Sequence, residues 1–314
     1  MMDLVFCGTP QVAVPTLQRL VSAGFRIQLV ATQPDRPSGR GMELAASPVK
    51  RDALRMGLPI TQPEKIKNNE EFRAMLESIQ PQAIVVVGYG RIIPQWMIDL
   101  PRLGNINLHA SLLPKYRGAA PIQWAIASGE SVTGVTTMRI DAGLDTGDIL
   151  EQREEPIDDN DTALTLAPRL AHIGAELVIT SLAGLSKGTI TPCPQNNDKA
   201  TLASILKKED GQIDFSRTAK EVWNRLRGFQ PWPGAFSTFR GKMLHLHEAV
   251  PSPEVAAVAA AHFAIENGRL LLGCAHGTAL EVRELQMEGK KRMCALDFIN
   301  GYRPKGDEPV GASI

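Results

Sequence analysis

Asn107 and His109 stand two residues apart at the end of the strand-like stretch that begins at Asn105, and their types and spacing suggest chemistry. In an extended strand, residues two apart point to the same side. A carboxamide donor and an imidazole can therefore converge on one atom beyond a strand's carboxyl end, where open α/β sheets bind ligands. A histidine in such a place also serves as a packed, hydrogen-bonded core residue, and spacing alone leaves both readings open. Ser111-Leu112-Leu113-Pro114 follows as a rigid turn, then Lys115-Tyr116-Arg117-Gly118 as a basic tip.

The stretch Asp141 to Asp148 carries three aspartates and two glycines. That composition suggests calcium, but the EF-hand spacing of ligands is absent. Such a loop can instead project one carboxylate, Asp145, toward His109, where it would raise the imidazole's basicity and fix its tautomer. Cys7, Cys193, Cys274 and Cys294 are scattered, with no pair at C-x-x-C spacing. Neither a zinc site nor a disulfide framework is expected, and no metal is assigned. Gly8-Thr9-Pro10 follows the first apolar run and opens a helix. It lacks the G-x-G-x-x-G pattern and the acidic residue of a dinucleotide site, which leaves a tight turn.

The elements that must position these residues alternate. Leu4 to Cys7 and Phe25 to Thr32 read as strands, separated by a helix with Val14, Leu17, Leu20 and Val21 on one face and Gly24 as its stop. Phe72, Met75, Leu76 and Ile79 mark another helix, capped by Asn68 or Asn69. Ala83 to Val87 is a β-branched run of the kind buried on both faces, and Asn105 to Leu108 and Val135 to Ile140 are further strands. A helix opening at Asp161-Thr162 carries Leu166, Leu170, Ile173 and Leu177. Strand–helix alternation with apolar strands predicts an α/β, doubly wound, mostly parallel sheet.

The composition changes after about residue 185, where Gly188, Pro192, Pro194, Gln195, Asn196 and Asn197 read as a linker. Beyond it, Thr218 and Glu221 form a capping box ahead of a helix ending near Gly228. Short alternating runs follow at Lys242 to Val250, Ala259 to Glu266 and Arg269 to Ala275, with Asn267-Gly268 as a hairpin signal between the last two. These predict a small β-barrel. The expected domains are therefore 1–188, a linker at 189–206, and a C-terminal barrel at 207–314.

Lys and Arg together equal Asp and Glu at 34 each, so any polyanion must be held by a local patch. The longest apolar run, Val255 to Ala261, is far short of a membrane span. Met1 to Phe6 carries no basic segment and no small-residue cleavage site, so a signal peptide is not expected and the cytoplasm is the expected compartment.

Asn107-x-His109-x-Ser111-Leu112-Leu113-Pro114, followed some thirty residues on by Leu144-Asp145-Thr146-Gly147-Asp148, resembles the 10-formyltetrahydrofolate-dependent formyltransferases. Gly8-Thr9-Pro10, the segment from Gln33 to Gly41, Gly118 to Gln123 and Pro231-Trp232-Pro233 resemble the branch of that family acting on initiator methionyl-tRNA. The likeness runs over nearly the whole chain. It implies a Rossmann-like catalytic domain with an OB-like C-terminal barrel that binds tRNA. It also implies catalytic Asn107, His109 and Asp145, and a site for 10-formyltetrahydrofolate that includes Ser111, Leu112, Leu113 and Pro114. In that chemistry Asn107 and His109 bind the oxyanion of a tetrahedral intermediate and Asp145 orients His109 and helps move the proton, with no metal and no covalent enzyme intermediate.

The strand end from Val85 to Gly90 and the loop from Asp141 to Thr146 are expected walls of the folate pocket, with Val85 to Val87 read as core. For tRNA, the expected contacts are Arg40 in a glycine-flanked loop also decorated by Arg36, Lys50 and Arg51, and Lys207 beside Lys208, with Lys290-Lys291-Arg292 as a further patch. Met42-Glu43 after Gly41 departs from the basic residues common in relatives. From residue 207 onward there are 15 basic and 13 acidic residues, too small an excess to decide the partner. Trp232 is expected in a packed turn. The expected protein is a monomer. Rival readings are a formyltransferase for an amino-sugar nucleotide, a formyltetrahydrofolate hydrolase, a glycinamide ribonucleotide formyltransferase, and a non-catalytic tRNA-binding module.

Overall fold

The computed structural model describes residues 2–38, 43–252, 258–306 and 308–311. The chain forms two compact units: Met1–Pro121 with Val132–Pro156 and Ala167–Ala203, and Ile122–Ser131 with Ile157–Leu166 and Ser204–Ile314.

The first unit begins β1 (Asp3–Gly8), α1 (Val14–Ser22), β2 (Arg26–Ala31), a short hairpin β3 (Arg36–Ser38) and β4 (Glu43–Ala45), α2 (Pro48–Arg55) and β5 (Ile60–Thr61). The chain continues through α3 (Glu70–Ile79), β6 (Ala83–Val87), α4 (Gln95–Ile98), β7 (Asn105–His109), β8 (Arg117–Gly118), α5 (Pro121–Ala127), β9 (Val132–Arg139), β10 (Ile149–Pro156), α6 (Ala163–Lys187) and β11 (Leu202–Ala203), where α5 beyond Pro121 and the first turn of α6 fall in the second unit. Local sequence explains several boundaries. Gly24, at φ +83°, ends the turn after α1, and the Asn69 side chain accepts the Phe72 N–H at 2.9 Å to cap α3.

The main sheet has the order β10-β9-β7-β6-β1-β2-β5. The five strands from β7 to β5 are parallel, whereas β9 is antiparallel to both β7 and β10. All five residues of β6 are buried, as a strand covered on both faces requires. Its Ile84 and Val86 join Val5, Cys7, Leu29, Phe72, Leu76 and Met97 in one apolar core. Because β9 reverses direction, Arg139 at its end pairs with Ile106 near the start of β7. The loop after β9 therefore leaves from the far end of β7 and folds back toward His109.

The second unit adds α7 (Ala219–Gly228), β12 (Ala235–Phe239), β13 (Lys242–Pro251), β14 (Phe263–Glu266), β15 (Arg269–Gly273), β16 (Ala279–Met287), β17 (Met293–Cys294) and α8 (Ala295–Tyr302). Its antiparallel sheet runs β12-β13-β16-β15-β14, with β17 beside β16. Val310 bridges Phe239 on one edge and Pro309 bridges His262 just before the other, so a late segment draws the two edges into a barrel. Inside lie Phe239, Phe263 and Phe298 in mutual ring contact, with Leu244, Leu246, Leu270 and Leu285. The capping box at Thr218–Glu221 forms, and Asn267 and Gly268, at φ +51° and +77°, make the hairpin turn between β14 and β15. Trp232 is 53% exposed rather than packed, because its turn faces an open concavity.

Residues 189–206 depart from the linker expectation. Cys193 pairs with Ile149 through two backbone hydrogen bonds of 2.8 and 2.9 Å, and β11 adds to β8 in parallel. The polar side chains that gave this stretch its linker-like composition are engaged in hydrogen bonds within the first unit.

Candidate active site

Asn107 and His109 both lie on β7, on the same side of the strand. Two neighbouring asparagines on this strand have different fates. The Asn105 amide donates to the carbonyls of Met97 and Ile98 at 2.8 and 3.1 Å and is structural. Among the described residues none engages the half-buried Asn107 amide, so its N–H groups are available to a ligand.

His109 is buried, and its Nε2 lies 2.8 Å from the Tyr116 carbonyl oxygen. A carbonyl only accepts, so Nε2 carries the proton and Nδ1 is the nitrogen left to face the site. Asp145 Oδ2 lies 3.7 Å from that Nδ1. This separation exceeds a direct hydrogen bond and leaves the two largely buried groups facing each other at ion-pair distance. The same Oδ2 accepts the Gly118 N–H at 2.8 Å. When Nδ1 is protonated, its charge faces the Asp145 carboxylate, while Nε2–H keeps the Tyr116 carbonyl.

The Ser111–Pro114 turn is fastened from beneath. Thr136 Oγ1 donates to the Ser111 carbonyl at 2.6 Å and accepts the Leu113 N–H at 3.1 Å. Gln152 donates both to that hydroxyl and to the Leu113 carbonyl, each at 2.9 Å, while Ser111 Oγ donates to the Lys115 carbonyl. Ser111 and Leu113 are buried; Leu112 and Pro114 are half-buried and border the open side. On the other side, Val85 to Val87 are core, and Gly88 and Gly90 are exposed at φ +55° and +69°. Gly90 is held close to Gln33, whose Nε2 donates to the Tyr89 carbonyl at 2.8 Å. The Tyr89 hydroxyl is buried without a partner among the described residues, and burial raises its pKa above the ordinary phenol value. In the Asp141–Asp148 loop, the Asp141 carboxylate accepts from Thr146 Oγ1 and the Gly143 N–H, which folds the loop on itself.

Sequence reasoning missed Tyr116, Gly118, Arg117, Thr136, Gln152 and Gln195 as parts of this site. Most act through backbone groups or through partners remote in sequence, which residue type does not signal.

Arg40 lies outside the described residues. Of its neighbours, Lys50 is paired with Asp35 at 2.6 Å, which lowers the Asp35 pKa, and Arg51 donates to the Ala46 carbonyl. In the second unit Lys207 is exposed. Lys208 lines a concavity of about 490 Å³ with Trp232, Pro233, Phe236, Met243 and His245. Lys290, Lys291 and Arg292 are exposed as well.

The chain belongs to the formyl transferase family: the profile described as Formyl transferase matches residues 2–182, and Formyl transferase, C-terminal domain, matches residues 205–303. Within it, the chain is 66% identical over 310 residues to the methionyl-tRNA formyltransferase of Koribacter versatilis (strain Ellin345), covering 99% of both chains. It is 58% identical over 311 residues to the protein of the same name from Acidobacterium capsulatum, covering 99% of this chain and 100% of that one. Among solved structures, an N-formyltransferase from Helicobacter canadensis, in complex with folinic acid and dTDP-3-aminofucose, superimposes with a TM-score of 0.67. It is 22% identical and covers 91% of this chain and 100% of its own, a likeness of fold. No helix among the described residues is long and apolar enough to cross a membrane.

Proposed function

We propose that this protein transfers the formyl group of 10-formyltetrahydrofolate to the α-amino group of methionine esterified to initiator tRNA. The carrying observation is the grouping of an unengaged Asn107 amide with His109, whose free nitrogen faces Asp145 at 3.7 Å. The close likeness to methionyl-tRNA formyltransferases over the full chain supports the choice of acceptor.

The reaction runs as follows. The neutral amine attacks the formyl carbon, a C–N bond forms, and the carbonyl oxygen gains negative charge. Asn107 donates an N–H to that oxygen and His109 donates from Nδ1, with Asp145 stabilising the imidazolium; one such donor is worth about 10²–10³ in rate. The proton lost by the amine passes, through Asp145 or a water, to the leaving N10 as the C–N10 bond breaks. Folate binds between the Gly88–Gly90 strand end and the Asp141–Thr146 loop, with Leu112 and Pro114 of the Ser111–Pro114 turn along one border. Gly88 and Gly90 let the pterin approach the backbone closely. Arg40 and Lys207 contact tRNA phosphates. Lys208 adds charge beside the exposed Trp232.

The test supplies 10-formyltetrahydrofolate with charged initiator tRNA and measures N-formylmethionyl-tRNA by acid electrophoresis after mild hydrolysis. Formylated product in the wild type and its loss in Asn107→Ala and His109→Ala support the reading. Formate release without formylated tRNA makes the protein a hydrolase, and tight tRNA binding without turnover makes it a binding module. Affinity for tRNA should fall steeply as salt rises from ~50 to ~200 mM; a flat response removes the phosphate contacts.

A further inference from the structure

Gln195 lies in the segment expected to be a linker, yet its amide meets three partners of the active-site framework. Its Oε1 accepts from Arg117 Nε at 3.0 Å and Nη2 at 2.7 Å. Its Nε2 donates to the carbonyls of Asp145 and Gly147 at 2.9 and 2.7 Å. We infer that Gln195 is a positioning residue for formyl transfer: it clasps the loop that presents the Asp145 carboxylate and fixes that loop to the Arg117–Gly118 strand. This inference rests on the proposed role of Asp145.

The geometry explains why the residue is a glutamine. Two carbonyl oxygens need two N–H donors, and a guanidinium needs an acceptor; one primary amide supplies all three. A glutamate would keep the acceptor and lose the donors. A lysine would lose the acceptor and set a second cation against Arg117. The Arg117 guanidinium is itself buried, and its Nη2 also reaches Asn197 Oδ1 at 2.9 Å, so neutral amides hold the cation from which the clasp hangs.

The loop needs such a hold. Asp145 sits at φ +52°, in the left-handed region that disfavours a non-glycine residue. Gly147 is pressed so close to the sheet that an added Cβ would lie 1.8 Å from the Arg139 carbonyl oxygen. The carboxylate meets the Gly118 N–H, and Gly118 belongs to the same short strand as Arg117. Gln195 thus ties both ends of the Asp145–Gly118 contact to one frame. The frame is rooted by Cys193 on Ile149 and by Thr201, whose carbonyl accepts the Arg117 N–H at 2.8 Å and whose hydroxyl accepts the Tyr116 N–H at 2.8 Å. Tyr116 is the residue whose carbonyl orients His109.

The test is a double-mutant cycle of Gln195→Glu and Asp145→Asn on the full-length enzyme, with kcat and KM measured for both substrates. Gln195→Glu retains the Arg117 contact but turns lone pairs against two carbonyls. Kcat is expected to fall about 10²-fold with both KM values within about threefold, since a displacement near 1 Å can cost that much. In the Asp145→Asn background the same change is expected to cost less than about threefold, because the group it positions is already lost. Gln195→Met, free of charge repulsion, is expected to give the same kcat loss if the glutamate variant misfolds. An equal loss in both backgrounds, or wild-type kcat in a folded Gln195→Glu, overturns the clasp. Wild-type turnover in Asp145→Asn alone overturns instead the reading of Asp145, and with it the route through which Gln195 acts.

Discussion

Asp145→Asn isolates the electrostatic part of the site from its geometry. The substituted amide is nearly isosteric, and its oxygen still accepts the Gly118 N–H that the carboxylate accepts at 2.8 Å, so the loop keeps its anchor. What is lost is a negative charge 3.7 Å from His109 Nδ1. At the effective dielectric of about 20 suited to such sites, two unit charges at this separation interact by about 4 kcal/mol. The reacting system needs that energy only as the imidazolium carries its proton toward the formyl oxygen. A share of about 2–4 kcal/mol therefore falls on the transition state, or about 30- to 900-fold in kcat. Single-turnover formylation, with enzyme in excess over charged tRNA and saturating formyl donor, reads this step without product release. A thermal melt coincident with wild type would show the fold intact. A single-turnover rate within threefold of wild type would refute the reasoning, because a charge at that distance from a buried imidazole cannot be catalytically silent if His109 works as argued.

Three further outcomes test other parts of the structure. Gly147→Ala should lower kcat by at least about tenfold, because the new methyl cannot share space with the Arg139 carbonyl and must push the Asp145 loop outward; unchanged kinetics would show the loop indifferent to its seat. Phe298→Ala should destabilise the barrel by about 3–5 kcal/mol in urea unfolding, since this fully buried ring contacts Phe239, Phe263 and Tyr302, and a loss under about 1 kcal/mol would contradict that packing. His245 has a pKa below its ordinary value of 6.5, chiefly through burial and then through His247 and Lys208. Folding thus favours its neutral form. The unfolded chain therefore binds the extra proton first, and stability present above about pH 6.5 declines as the pH falls through that value toward the folded pKa. His245→Gln should narrow the drop in melting temperature between about pH 8 and about pH 5; an identical drop would remove His245 as a source.

The legible parts of the fold are those whose signal is local. Apolar runs mark β1 and β6, Asn69 and the Thr218–Glu221 box mark helix starts, and Asn267-Gly268 marks a hairpin. The charged strand β10 lay hidden because an edge strand needs no apolar face: Gln152, Arg153 and Glu154 are exposed. In β16, Glu281, Arg283 and Glu284 interrupt the alternation where the pairing with β13 shifts register. The antiparallel turn of β9 was illegible, since strand direction is decided by a partner and not by the strand itself. At the site, His109 and Asp145 stood out by residue type and family pattern. The carbonyl of Tyr116 and the N–H of Gly118 could not, because every residue carries such groups and only folding aims them.

The stitching of residues 193–203 across the catalytic half has a practical corollary for anyone who cuts this protein. A fragment ending near residue 188, where composition invites the scissors, would retain every side chain assigned to the chemistry. It would lack Gln195, Thr201 and Ala203, leave Arg117 buried without its amides, and strip β8 of its only described companion strand. Such a truncation should be slow even on a minimal acceptor that needs no barrel, while one extended past Ala203 should not. The last crossing between the two units falls after Ala203, downstream of the apparent gap, and fusion or split-protein designs should also keep Ile122–Ser131 and Ile157–Leu166 with the second unit to which they belong.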